Sequence, residues 1–410
     1  MRYPTFTNGQ IGGFAVKFTV GAQWEKEFIS TFAEMGVSEI FSTLRWPTSE
    51  TGRGGITPPE VTRDHAKEYV STVHDNGMLF CYAMNTSCLG NREYDSNYIS
   101  QMLEEISFVD SIGADAISAT VPFIIQMIGK AAPRLSIRAS VMTQIDSIQA
   151  VRYFTEDLGV NEITLGADCN RNFPLLEAIR KSTDCPLELL ANEDCLFHCP
   201  HRSYHDNMLS HRSALDDIFG SRYVDYCVMT CIRNRVRDHR EIIKGRFIRP
   251  EDVHIYEDIG IDRIKISSRH LPREWVLLAA KAYAQGRYDG NLADIISPVT
   301  MSIPVDSMGR IEHWSEDEWK KFKRVVSKQG PNIRIDNRKL DGFLSHWQSS
   351  TIPCENTHCG EECNYCGEMA DKAVSGDADT EFTANYIRLI DFMLDAISTG
   401  GLKNNPMTFE

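Results

Sequence analysis

The chain has 410 residues, of which 42% are apolar and 24% charged, with a formal net charge of −14. This composition describes a globular protein with room for one large domain and an appendage, or for two domains. It excludes a helical membrane span, since no run of 18 apolar residues occurs, and the acidic balance disfavours bulk nucleic acid, whose phosphates such a surface repels over a Debye length of about 8 Å.

The opening MRYPTFTNGQIGG lacks the apolar segment of a signal peptide, so a cytoplasmic protein is expected. From residue 14 to 286, short β-rich runs alternate with helical patterns. Strands are predicted at 14–21, 38–44, 78–85, 114–122, 134–141, 161–166, 186–193 and 261–269. Gly36, Gly77, Gly113, Gly159 and Gly260 each end a helical stretch just before the next strand, where a left-handed C-cap is called for. Alternation of this kind implies a parallel sheet, and eight βα units over roughly 270 residues predict an α/β fold of the (β/α)8 TIM-barrel type. No GxGxxG follows the first strand to favour a doubly wound open sheet. The barrel is expected over 1–289, with an appended domain over 290–410.

Chemistry in such a barrel gathers at the carboxyl ends of the strands. That rule selects Arg45, Asn85, Cys88, Asp168, Cys169, Glu193 and Arg269. The connection after the seventh strand, 194–248, is far longer than usual, and long connections inside compact domains carry function. It holds two CxxxC pairs, Cys195/Cys199 and Cys227/Cys231. Four thiolates satisfy either a tetrahedral zinc ion or a [4Fe–4S] cluster. CxxxC is unusual for zinc ribbons, and a redox cluster has more use at a catalytic mouth than a structural ion. His198, His201, His205 and His211 crowd the same loop as ligands, proton donors or plain hydrogen-bonded side chains. The segment ends in RNRVRDHREIIKGRFIR (233–249), a basic run that reads as a solvated, ion-paired surface before it reads as a nucleic-acid contact.

After residue 290 the pattern changes. A strand-like stretch (296–309) precedes an amphipathic helix over 315–329, opened by the N-cap Ser315, and another helix is predicted over 385–399. Between the helices, CENTHCGEECNYC places Cys354, Cys359, Cys363 and Cys366 in the spacing C-x4-C-x3-C-x2-C. Twelve cysteines in a reducing compartment are not expected as disulfides. This set suits one metal centre, a second [4Fe–4S] cluster or Zn2+, with His358 available as a substitute ligand.

Two stretches resemble the collagenase-like U-32 peptidase family. FIRPEDVHIYEDIGIDRIKISSRHLPREWVLLAAKAYAQGRYD (247–289) is similar to its P-x-D-L element, helix and KIEGR strand through Pro250, Asp252, Gly260, Asp262, Lys265, Ile266 and Arg269. LLANEDCLFHCPHRSYH (189–205) resembles its N-x-G-C-x-x-x-C-R region through Asn192, Cys195, Cys199 and Arg202. Ser267, Ser268 and Asp194 depart from the pattern. The resemblance implies either proteolysis or an iron–sulfur enzyme that hydroxylates its substrate without molecular oxygen.

No HExxH or GxSxG occurs to equip a peptidase, so the redox reading is preferred. The expectation is oxygen-independent hydroxylation, or a related redox modification, of a small molecule or peptide. Arg45, Glu193, Lys265 and Arg269 would orient an anionic substrate or donate protons, with an internal ion-pair lattice closing the barrel as the alternative for Lys265 and Arg269. The other readings are a peptidase and a non-catalytic iron–sulfur subunit that works with a related partner.

Overall fold

Strands of a parallel barrel are buried on both faces, and the strand residues of this chain are almost all buried, the charged ones included. The computed structural model describes residues 15–46, 60–193, 195–213, 225–267, 271–296, 315–317, 320, 330–350, 354–376 and 380–399. The strand-like stretch at 296–309, nearly all of the 315–329 helix, and Arg269 lie outside these residues.

Eight strands form: β1 Lys17–Gly21, β2 Val37–Ser42, β3 Leu79–Met84, β4 Ala116–Ala119, β5 Ser136–Ala139, β6 Glu162–Thr164, β7 Leu187–Leu190 and β8 Arg263–Ile266. They pair in chain order, all parallel, and β1 closes on β8 to make a barrel. Around it run α1 Ile29–Glu34, α2 Arg63–Asp75, α3 Ser96–Ser111, α4 Pro122–Ala131, α5 Ile148–Arg152 and α6 Phe173–Ser182. The long seventh connection carries α7 Arg202–Arg212, α8 Tyr226–Arg237, α9 Arg240–Lys244 and α10 Val253–Ile259, and α11 Arg273–Gln285 follows β8. Thr62, Asp95, Ser147, Asn172 and Asp225 cap their helices by accepting first-turn N–H groups. The five glycines before strands adopt φ between +68° and +93°, as a left-handed cap requires.

The interior of the barrel is charged. Strand alternation turns Glu39, Arg138, Glu162, Glu188, Arg263 and Lys265 inward, all buried. Arg138 bonds Glu39 and lies 3.5 Å from Glu162, which Arg263 reaches at 3.0 Å. Lys265 pairs with Glu188 at 3.0 Å, and Thr164 donates to the same carboxylate at 2.7 Å. A small apolar cluster of Phe41, Cys81, Ala83 and Ala116 fills the remaining space, and the Lys265 ammonium lies 4.5 Å above the Phe41 ring.

The C-terminal part folds against this barrel. It contributes β9 Arg334–Ile335 paired antiparallel with β10 Val374–Ser375, and helices α12 Ser345–Ser349, α13 Tyr365–Ala373 and α14 Thr380–Ser398. α13 packs on α9, and α14 packs on α8. The Arg249 guanidinium, 1% exposed, donates to Asn337 Oδ1 at 2.8 Å, to the Leu340 carbonyl, and to Asp341 at 2.6 Å. One apolar cluster runs from the barrel wall through Phe343 and Trp347 to Tyr386 and Ile390. The basic run 233–249, expected as solvated surface, is used internally. Arg235, Arg246 and Arg249 are buried, and Arg233 and Arg237 pair with Asp391 of α14. Among the described residues no helix is long and apolar enough to cross a membrane.

Two outcomes follow from the charged interior. Arg138→Met removes the guanidinium that bonds the buried Glu39 and is expected to cost about 3–5 kcal/mol in chemical denaturation. Burial alone pushes the Glu188 carboxyl up, but Lys265, Arg138 and Arg263 outweigh it and hold it down at about 2, against an ordinary 4.5. A carboxyl held low stabilises the fold above its ordinary value, and that contribution fades as pH falls from 4.5 towards 2. Glu188→Gln is therefore expected to lower stability at neutral pH and to flatten the loss across that acid window, measured by denaturant titration at stepped pH.

Candidate cysteine-lined site at the barrel mouth

β7 delivers Asn192, Glu193 and Cys195 to the carboxyl end of the barrel. Asn192 Oδ1 accepts the Ser267 N–H at 2.8 Å and so ties the exits of β7 and β8 together. The Cys195 thiol donates to Glu193 Oε1 at 2.6 Å, and Arg202 at the start of α7 reaches the same oxygen at 3.3 Å. Arg202 also lies 3.8 Å from Asp168, which follows β6 and accepts the His198 N–H at 3.3 Å. Three segments of the mouth are thus joined through one guanidinium.

Cys227 and Cys231 lie one turn apart on the same side of α8. Asp225 caps that helix and pairs with His205 of α7 at 3.2 Å, which fixes α8 against α7. Ser87, in the loop after β3, docks on α7 through Ser210 at 2.9 Å and Asn207 at 2.7 Å. The first cysteine set therefore comes from one connection, braced by the exits of β3 and β6.

The thiols influence one another. Burial first, and then the Glu193 carboxylate, push Cys195 well above the ordinary range; Arg202 opposes this and Cys231 adds to it. Cys227 is pushed up to about 12 by burial, then by Asp225, Cys199 and Cys231. Burial and the Glu193 charge raise Asp206 to about 6.

The second set lines a cavity of about 440 Å3, with Cys354, Cys359, Cys363 and Cys366 in its wall together with Arg240, Lys244, His346 and Trp347. The Trp347 indole N–H donates to Cys354 Sγ at 2.9 Å, and His346 Nε2 lies 3.7 Å from Cys363 Sγ. Tyr365 stacks on His346 with ring centroids 4.2 Å apart. His358 is exposed and is not in the cavity wall, so the imidazole near this set is His346. Neither His346 nor Trp347 carries a spacing signal in the sequence; the dipeptide simply precedes the first cysteine of the set.

The turn after β6 touches both sets. Asp168 holds Arg202 and His198 on one side. On the other, Asn172 donates to Glu355, next to Cys354, at 2.6 Å, and the buried Arg171 guanidinium lies 4.7 Å above the Trp347 ring. Among the described residues, no three of Cys, His, Asp and Glu meet closely enough to hold a single metal ion.

The remaining candidates divide. Glu193 is in the site. Lys265 is in the barrel lattice, paired with Glu188 and 8% exposed. Arg45 follows β2 and pairs with Glu60 at 2.5 Å. Cys169 is buried and donates to the Ile145 carbonyl at 3.8 Å, while Cys88 Sγ accepts the Gly90 N–H at 3.4 Å. Arg269 lies outside the described residues.

A sequence model of Peptidase family U32 matches residues 58–290. The protein named Uncharacterized protease MJ1657, from Methanocaldococcus jannaschii, is 30% identical over 329 residues, 79% of this chain and 85% of its own. Among solved structures, the U32 peptidase Mk0906 aligns at a TM-score of 0.47 and 17% identity, over 66% of this chain and 98% of its own. A phosphoribosyl anthranilate isomerase from Thermotoga maritima aligns at a TM-score of 0.36 and 10% identity, over 66% of this chain and 98% of its own.

Arg202→Met removes the cation shared by Glu193 and Asp168. It is expected to cost about 1.5–3 kcal/mol, the worth of a hydrogen bond to a charged group. The loss should be local, read as faster amide exchange over 195–213 with the barrel strands unchanged.

Proposed function

Because the chain belongs to peptidase family U32, with the family model and a full-length relative both matching it, we propose that it is an iron–sulfur-dependent enzyme working at the barrel mouth. Its reaction is oxygen-independent hydroxylation, or a related redox modification, of a small molecule or peptide. One observation carries this reading: Cys195 has Cys231 as a neighbour, and Cys227 has Cys199 and Cys231, in the connection that leaves the carboxyl end of β7, where barrel chemistry takes place. The donor set fits a [4Fe–4S] group, four thiols drawn from two segments of one connection.

Such a group, when bound, supplies one-electron redox chemistry. The chain's own residues do the rest. The four cysteines hold it. A thiol loses its proton on ligation, and Glu193 Oε1, 2.6 Å from Cys195 Sγ, is placed to accept it. Arg202 keeps that carboxylate in position and Asp168 keeps Arg202 in position. Lys265, engaged with Glu188, is assigned to the barrel lattice. Arg45 and Arg269 are kept as candidates for orienting an anionic substrate.

The family's name and that of the archaeal relative favour a peptidase as the second reading. A cysteine nucleophile needs a base that takes its proton and is held by a third group, commonly an imidazole. The hydrogen-bond partner of the Cys195 thiol is the Glu193 carboxylate and not an imidazole.

Protein purified without oxygen is expected to contain iron and acid-labile sulfide and to show broad visible charge-transfer absorption. Cys195→Ala and Cys231→Ala should each abolish the signal of this site. A colourless protein carrying only zinc overturns the redox reading. Hydrolysis of a broad peptide library, lost on Cys195→Ala in iron-free protein, establishes the peptidase.

A further inference from the structure

The second cysteine set lies beyond the stretch that matches the family model, which ends at residue 290. We infer that Cys354, Cys359, Cys363 and Cys366 hold a second metal centre of their own, a polynuclear iron–sulfur cluster, in the cavity they line. The inference goes beyond the proposed function and stands whatever the first set binds.

Three features of the cavity carry it. First, the four cysteines share the wall of one cavity of about 440 Å3. A tetrahedral zinc ion with Zn–S bonds of about 2.3 Å draws its four sulfurs to one point. A cubane takes one thiolate at each of its four irons, so its ligands enclose a space.

Second, the wall supplies what a thiolate cluster needs beyond its ligands. Arg240 and Lys244 of α9 lie in the cavity wall with Glu362, and although each also pairs with a carboxylate, Asp238 and Glu241 respectively, they bring positive charge to the thiols. The Trp347 N–H points at Cys354 Sγ from 2.9 Å, and hydrogen bonds to ligand sulfur are a principal control of cluster potential.

Third, the ligands are presented from a braced frame. Gly360, at φ +93°, lets the loop between Cys359 and Cys363 turn back on itself, and its N–H bonds the Cys363 carbonyl at 2.8 Å. Cys366 opens α13, which packs on α9. Arg171 is buried against Phe247, Phe343 and Trp347, and holds the indole in place from behind. The turn that carries Arg171 also carries Asp168, so the two cysteine sets share one support.

The experiment uses the full-length protein purified and reconstituted without oxygen, with iron, zinc and acid-labile sulfide measured per chain. Cys359→Ala is the first variant, because Cys359 is exposed and its loss leaves packing intact. It should lose the iron and sulfide of one cluster, as should Cys363→Ala, while Cys195→Ala leaves that cluster in place. Trp347→Phe should keep its iron and move the midpoint potential of one reduced-cluster EPR signal to a more negative value. Unchanged iron in both Cys359→Ala and Cys363→Ala overturns the inference. So does zinc in the parent protein that disappears in those variants. Iron that survives Cys195→Ala in full but vanishes in Cys359→Ala removes the proposed function and leaves this inference standing.

Discussion

Everything at the mouth of this protein depends on a charge-balanced barrel interior. Three cations, Arg138, Arg263 and Lys265, meet three carboxylates, Glu39, Glu162 and Glu188, with little water to screen them. Buried ion pairs are a poor source of net stability, because desolvation offsets most of the attraction. They are demanding about position. A one-residue slip of β2, β5, β6, β7 or β8 would turn its inward charge out among the helices and leave the partner alone inside. The lattice therefore penalises every register but one.

That register decides where the strands end and what they present. β6 releases Asp168, β7 releases Glu193 and Cys195, and β8 releases Ser267, whose N–H is held by Asn192. Arg202 gathers Asp168 and Glu193, and the turn after β6 continues to Arg171 and Asn172, which hold the Trp347 and Glu355 side of the second cysteine set. Two groups of thiols far apart in sequence are thereby set on either side of one turn. Cys195 and Cys227 are pushed up chiefly by burial, and the carboxylates of Glu193 and Asp225 add to it.

Much of this was legible in the residues. Short β-rich runs alternate with helical patterns, and glycines at left-handed caps punctuate them, so all eight strands and their order could be read in advance. Short spacing set both cysteine groups apart from the scattered cysteines. The positions of Lys265 and of the basic run 233–249 were harder to read. A lysine near a strand's end looks like a mouth residue, and only barrel closure turns it towards Glu188. An arginine-rich helix looks solvated until another helix covers it, as α14 covers α8.

The sequence by itself determined the element order, the closed parallel architecture and the identity of the thiols, because each rests on local periodicity or short spacing. Only the tertiary structure decided which groups surround those thiols. Glu193 beside Cys195, Arg202 between two carboxylates, and His346, Trp347, Arg240 and Lys244 around the second set are contacts between distant segments. Such contacts follow from strand register and helix packing, which act across the whole chain and leave no mark at any one interval of it.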